Sequence, residues 1–170
     1  MLKIFIDNMI NNNILLDKYL GIRITDMYKN ILVAITNILA GIINYFTYGL
    51  LIKLNAVHLR DITFILNIVI ISSIISIIYK EITNNEEDIL KSIVTNTLIL
   101  GVSLIITTLN YNFITTLVYL FSVSISYLLI MILIHYLNIE LSKRKVLLSF
   151  KGYPIMLITL GILCMIKKML

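Results

Sequence analysis

Residues Ser92–Ile139 read SIVTNTLILGVSLIITTLNYNFITTLVYLFSVSISYLLIMILIHYLNI, 48 positions without one Asp, Glu, Lys or Arg. A helix rises 1.5 Å per residue and a hydrocarbon core is about 30 Å thick, so roughly 20 apolar residues make one crossing. The stretch is therefore long enough for two crossings, and Asn110-Tyr111-Asn112 near its middle supply a tight turn between them. Working outward, Asn30–Ile52 and Ile62–Tyr79 are two further uncharged runs of crossing length. Gly152–Ile166 is apolar but shorter, with Lys167 and Lys168 placed to snorkel to the far interface. The first 22 residues are ambiguous, because Asp7, Asn11-Asn12-Asn13, Asp17 and Lys18 interrupt the apolar positions. They suit a sixth span, an interfacial amphipathic helix, or a broken helix packed inside protein.

Composition agrees with a bilayer and excludes a soluble globule. The 170 residues are 59% hydrophobic and 14% charged, against about 45–50% and about 25% in soluble chains. A net charge of +5 suits cytoplasmic loops facing anionic lipid and is too diffuse for a nucleic-acid surface, so no nucleic acid is expected. Cys164 is the one cysteine, which excludes an internal disulfide and any Cys-x-x-Cys site. It reads as a small core hydrophobe. Isoleucine, asparagine, lysine and tyrosine are used heavily, as AT-rich coding produces, so asparagine carries less weight than usual. Asp7 and Asp17 flank the first apolar part and no small-x-small site follows, so a cleaved signal is not expected.

With six spans, a cut between the third and fourth leaves three crossings in each half, and an odd number per half forces opposite topology. The expected architecture is an all-α integral membrane protein. It forms one membrane domain over 1–170, built as two inverted three-helix repeats of about 1–80 and 88–170 with broken first helices. Each half opens on an asparagine-bearing, glycine-interrupted segment: Asn11-Asn12-Asn13 to Gly21, and Asn96 to Gly101. Paired interruptions of this kind point to a site near the midplane. Packing glycines and compositional asparagines are the plainer reading.

The same segments carry a family resemblance. NNNILLDKYLGI (Asn11–Ile22) resembles the opening signature of the RnfA/NqrE family of ion-translocating electron-transport subunits, and TNTLILGVSL (Thr95–Leu104) resembles its second signature. LRDITFIL (Leu59–Leu66) is similar to the family's third-span entry, and FKGYPIMLITLG (Phe150–Gly161) to its closing segment, which is nearer the RnfA side. The positions that carry the likeness include Asn12, Asn13, Gly21, Thr95, Asn96, Gly101, Gly152 and Pro154.

The resemblance implies one component of a redox-driven ion translocase in the bacterial inner (plasma) membrane, non-catalytic on its own. Its implied partners are a homologous membrane subunit, the flavin or iron-sulfur subunits of the same complex, and membrane lipid. The family implies a two-iron, two-sulfur cluster held between the homologous subunits. The two positions where the family places its cysteines are Arg23 and Thr97 here. A guanidinium has no lone pair to give, and a hydroxyl is a hard ligand where soft thiolates are selected. No cofactor bound by this chain alone is therefore expected, and a non-redox channel or transporter-like protein on the same scaffold is the alternative.

Other residues have plainer roles. Arg23 and Asp26 are spaced to pair, or lie where the segment reaches the interface; a polar substitute for the lost cluster is the sharper reading. His135 reads as an interfacial hydrogen-bonding group rather than a proton relay, and His58 as a solvated loop residue. Lys143-Arg144-Lys145 is a topology determinant first and a docking patch second, and Glu86-Glu87-Asp88 is a solvated acidic turn.

Six alternating spans place nine Lys and Arg on one side (Lys18, Arg23, Lys29, Lys80, Lys91, Lys143, Arg144, Lys145, Lys151) and five on the other. The positive-inside rule then puts both termini outside the cytoplasm. After Cys164 is replaced, single cysteines at positions 145 and 168 test this by labelling of intact cells. Position 168 should react and 145 should not; the reverse pattern inverts the assignment.

Overall fold

The computed structural model describes residues 5–6, 13–18, 20–21, 26–83, 89–143 and 153–169. The elements are α1 (Ile14–Lys18), α2 (Met27–Lys53), a 3-10 turn (Val57–Leu59), α3 (Arg60–Thr83), α4 (Ile89–Val94), α5 (Thr97–Thr108), α6 (Phe113–Ser142) and α7 (Tyr153–Met169). No strand occurs among the described residues.

Among the described residues, three helices are long and apolar enough to cross a membrane: α2, the 3-10 turn continued by α3, and α6 through Glu140. The two runs Asn30–Ile52 and Ile62–Tyr79 thus fall inside α2 and α3, and the 48-residue stretch divides at the expected place. Asn110 makes that reversal with φ +49°, a left-handed conformation that asparagine tolerates better than most residues. At the end of α2, Asn55 does the same with φ +53°, while Ala56 N–H donates to Leu51 O at 2.9 Å. That 6→1 bond around a left-handed residue closes the helix as a Schellman motif.

The remaining helices are shorter than a full crossing. At 17 residues, α7 is about 26 Å long. The segment before Asn110 is broken into α4 and α5 at Thr95–Asn96, so the interruption falls at the asparagine, and Gly101 lies within the continuous helix α5. In the first segment the described helix has five residues, about 8 Å, followed by a turn at Leu20–Gly21.

Helix α2 is the hub, packing most extensively on α6, α3 and α5. It runs antiparallel to α6: Asn30 meets Tyr127, Asn37 meets Ser124, and Phe46 packs against Phe113 with ring centres 5.5 Å apart. Against α3 it forms a second antiparallel pair, marked by the stacked rings of Tyr28 and Tyr79 at 6.0 Å. The core between these helices holds Val33, Ala34, Ala40, Phe64, Ile68, Val102, Leu120 and Val123. Outward-facing Ile62, Leu66, Ile70, Ile74 and Ile77 on α3 are more than half exposed. An apolar surface all along a helix is what lipid-facing residues require.

Gly41 lets α2 and α6 approach, since a Cβ there would lie 2.9 Å from Leu120 Cδ1, and Leu120 is fully buried. Gly41→Leu should therefore lower thermal stability in detergent, with overpacking worth about 1–3 kcal/mol. Leu120→Ala introduced beside it should recover most of the loss. Additive losses in the double variant would show that the two positions do not share this contact.

Candidate functional site

The two signature segments, 83 positions apart by their asparagines Asn13 and Asn96, meet beside the middle of α6. Each asparagine begins a helix. Asn96 has an extended backbone and its Oδ1 accepts from Leu98 N–H at 3.0 Å, capping α5. Asn13 Oδ1 accepts from Leu16 N–H at 3.3 Å at the start of α1. Asparagine suits this position because its side-chain oxygen satisfies a backbone donor that has no partner within the helix. The outward ends of both amides then reach α6, where Asn13 Nδ2 donates to Ser126 Oγ and Asn96 Nδ2 to Tyr127 Oη at 3.3 Å. Tyr127 Oη in turn donates to Asn30 Oδ1 at 3.1 Å.

Gly21 and Thr97 join the segments directly, with Gly21 N–H donating to Thr97 Oγ1 at 3.0 Å. Gly21 has φ +83°, and a Cβ there would lie 2.9 Å from Leu98 Cβ and 3.1 Å from Asn96 Oδ1. Both backbone conformation and close approach demand glycine. Gly101 serves the same junction from the other side, its missing side chain making room for Leu20.

Asn13, Gly21, Asn96, Thr97 and Gly101 are thus brought together. Thr95 is not: it is exposed and its hydroxyl donates back to Lys91 O at 2.6 Å. Pro154 is exposed in the first turn of α7. Asn12, Arg23 and Gly152 lie outside the described residues, as do Arg144, Lys145 and Glu86–Asp88.

Two carboxylates near the junction have cationic partners. Asp17 meets Lys167 from the end of α7, with both side chains partly buried. Lys167 thus engages the first signature instead of reaching outward alone. Asp26 is held by Lys29 at 3.0 Å and also accepts from Tyr28 Oη at 3.2 Å, while Arg23, spaced to pair with it or to lie at the interface, is outside the described residues. The Lys29 hydrogen bond, aided by Tyr28, holds the Asp26 carboxyl below its ordinary value. Its contribution is therefore complete at neutral pH and disappears as pH falls through that lowered value. Cys164 is buried, as expected, but it is not remote from the signatures: its Sγ lies 3.1 Å from Leu16 O. His58 is exposed, Lys143 is exposed beside Glu140, and His135 packs edge-on to Tyr136.

A ladder on α2 was hidden by the low weight given to asparagine. Asn30, Asn37 and Asn44 are spaced by seven and all at most 1% exposed. Asn37 Nδ2 donates to Ser124 Oγ at 2.9 Å. Asn44 Nδ2 donates to Ser103 Oγ, and Asn67 Nδ2 from α3 donates to Asn44 Oδ1, both at 2.9 Å. The signal available was the seven-residue period, which returns a residue to nearly the same helix face.

Of the two positions where the resemblance places cluster ligands, Arg23 lies outside the described residues and Thr97 is described. Thr97 offers a neutral oxygen already accepting from Gly21. No group of three or more His, Cys, Asp or Glu that could hold a metal occurs among the described residues.

Lipid-facing apolar helices around a polar seam define the class as an α-helical membrane-embedded protein. No family model matches the sequence. The RnfA component of the ion-translocating oxidoreductase complex of Buchnera aphidicola subsp. Baizongia pistaciae is 28% identical over 177 residues, covering 94% of this chain and 90% of that protein. Its counterpart from Serratia proteamaculans is 28% identical over 179 residues, covering 95% and 91%. The chain is thus similar to RnfA components over nearly its whole length.

Gly21→Ala should destabilise the protein by roughly 2 kcal/mol or more, since a left-handed alanine alone costs about 1–2 kcal/mol and the new methyl meets Leu98. Gly49→Ala, whose Cβ would meet nothing within 4 Å, is the control and should be neutral or mildly stabilising. Equal thermal shifts for the two variants would remove the special status of the Gly21 junction.

Proposed function

We propose that the chain is a membrane component of an ion-translocating oxidoreductase complex that keeps the family's scaffold but supplies no cluster ligand at positions 23 and 97. Two inverted repeats, about 1–80 and 88–170, form the scaffold in this reading, in an inner membrane with both termini outside the cytoplasm. The Gly21–Thr97 contact carries the argument, because it ties the two signature segments together at the second ligand position. Similarity to the two RnfA relatives over most of the chain supports the same reading.

The residues present perform positioning rather than electron transfer. Asn13 and Asn96 start the two short helices, Tyr127 and Ser126 fix the asparagines, and Lys167 neutralises Asp17. Redox centres then reside on other subunits, the partners being flavin or iron-sulfur subunits together with a homologous membrane protein. The second reading, a non-redox channel or transporter on this scaffold, is favoured by one observation: a hard hydroxyl, bonded to Gly21 N–H, where the family keeps a thiolate.

Affinity purification in mild detergent separates the two readings. Flavin-bearing and iron-sulfur companions should co-purify, and a stable monomer without redox-active companions at any salt would favour the channel. Iron analysis and low-temperature electron paramagnetic resonance should find no cluster signal that tracks with this chain. Arg23→Cys combined with Thr97→Cys should create one when the partner is present. A reducible signal in the unmodified complex that is lost with this chain would overturn the cluster-free assignment.

A further inference from the structure

A cavity of about 450 Å³ lies away from the signature junction, between the last turns of α2, the end of α5 and the turn that follows it. Its walls are aromatic: Tyr45, Phe46 and Tyr48 from α2, and Tyr111 from the turn. Lys53, Thr107 and Asn110 add polar groups to a lining otherwise aromatic and aliphatic, and no carboxylate contributes to it. Gly49 lines the same space, and a Cβ there would meet nothing within 4 Å, so a larger side chain could extend into it. The volume falls in the range of small-molecule sites, about 300–1,000 Å³.

Depth in the membrane decides what can enter. The uncharged run of α2 ends at Lys53, and Asn55, His58, Arg60 and Asp61 follow within eight residues, so this end of the helix lies at the water interface. Tyr45 is eight positions back from Lys53, about 12 Å along the axis. The cavity therefore reaches from the headgroup level into the hydrocarbon level. Tyrosine at such an interface packs its ring against chains and its hydroxyl against headgroups. Asp61, the first acid after Lys53 in the sequence, is bonded to Arg60 at 2.9 Å.

We propose that this cavity is a binding site for an anionic phospholipid, with the phosphate at Lys53 and an acyl chain along Tyr45, Phe46 and the Gly49 opening. A zwitterionic lipid would bring its own cation toward Lys53, and free phosphate would leave the aromatic wall exposed. The site requires only that the chain be embedded in a membrane and is independent of its redox partners.

The sequence contains no tryptophan, so Phe46→Trp installs a single fluorescent reporter at the rim, where Phe46 is 56% exposed. The full chain carrying it is reconstituted into phosphatidylcholine vesicles containing a minority of brominated phosphatidylglycerol or, separately, brominated phosphatidylcholine. Quenching should be several-fold stronger with the glycerol lipid. Lys53→Gln should abolish that difference, Lys53→Arg should retain it, and Gly49→Leu should weaken quenching by filling the space. Equal quenching by the two lipids in the reporter protein overturns the proposal, as would be the case for a site that takes any neutral amphiphile. A preference that survives Lys53→Gln also overturns it. Circular dichroism of each variant confirms folding, and if Gly49→Leu does not fold, the Lys53 pair alone decides.

Discussion

A hydrocarbon interior offers no water to backbone groups, so a helix can be interrupted there only if protein atoms satisfy the amides set free. Most of the arrangement around α6 follows from that constraint. The break at Thr95–Asn96 exposes the first amides of α5, and Asn96 Oδ1 takes one of them from Leu98. Its amide group then requires an acceptor, which Tyr127 provides, and the Tyr127 hydroxyl requires one in turn, found at Asn30. Asn13 makes a parallel connection at α1 through Ser126. One tyrosine and one serine on adjacent positions of α6 thus fix both interrupted segments.

The asparagine ladder extends the same logic along α2. Interhelical hydrogen bonds of this kind average about 0.6 kcal/mol in a membrane, so three contribute less to stability than the surrounding van der Waals contact. Their larger effect is on alignment, because shifting α2 past α6 or α5 would leave several buried amides without partners at once. Asn37 Oδ1 and Thr116 Oγ1 are buried without a hydrogen-bond partner among the described residues, so the seam is not uniformly satisfied. Serines on α6 and α5 supply partners for Asn37 and Asn44 from within the chain. The charged pairs obey the same rule of desolvation: Asp17 and Lys167 come from opposite ends of the chain, and each reduces the cost of placing the other beside apolar helices.

Length and charge alone were enough for the class of fold and for α2, α3 and α6, because the bilayer imposes one linear requirement that an uncharged run either meets or fails. The reversal at Asn110 was legible for a similar reason, since consecutive polar residues in the middle of 48 uncharged ones leave few other places to turn. The family signatures were legible as strings of residues, but what those strings do was not. Asparagine in a composition rich in asparagine gives no sign of which copies are buried, and its seven-residue recurrence on α2 acquires meaning only when Ser103, Ser124 and Tyr127 face it. The place of the break, at Asn96 and not at Gly101, depends on which side chain finds a partner across the helices. The closeness of Cys164 to Leu16 and of Lys167 to Asp17 joins positions about 150 apart in sequence. Local sequence therefore determined where the chain could be helical and apolar, which depends on each segment's own transfer into lipid. The pairing of polar groups across those helices belongs to the tertiary structure, because a hydrogen bond inside a membrane exists only where two distant segments arrive at the same depth.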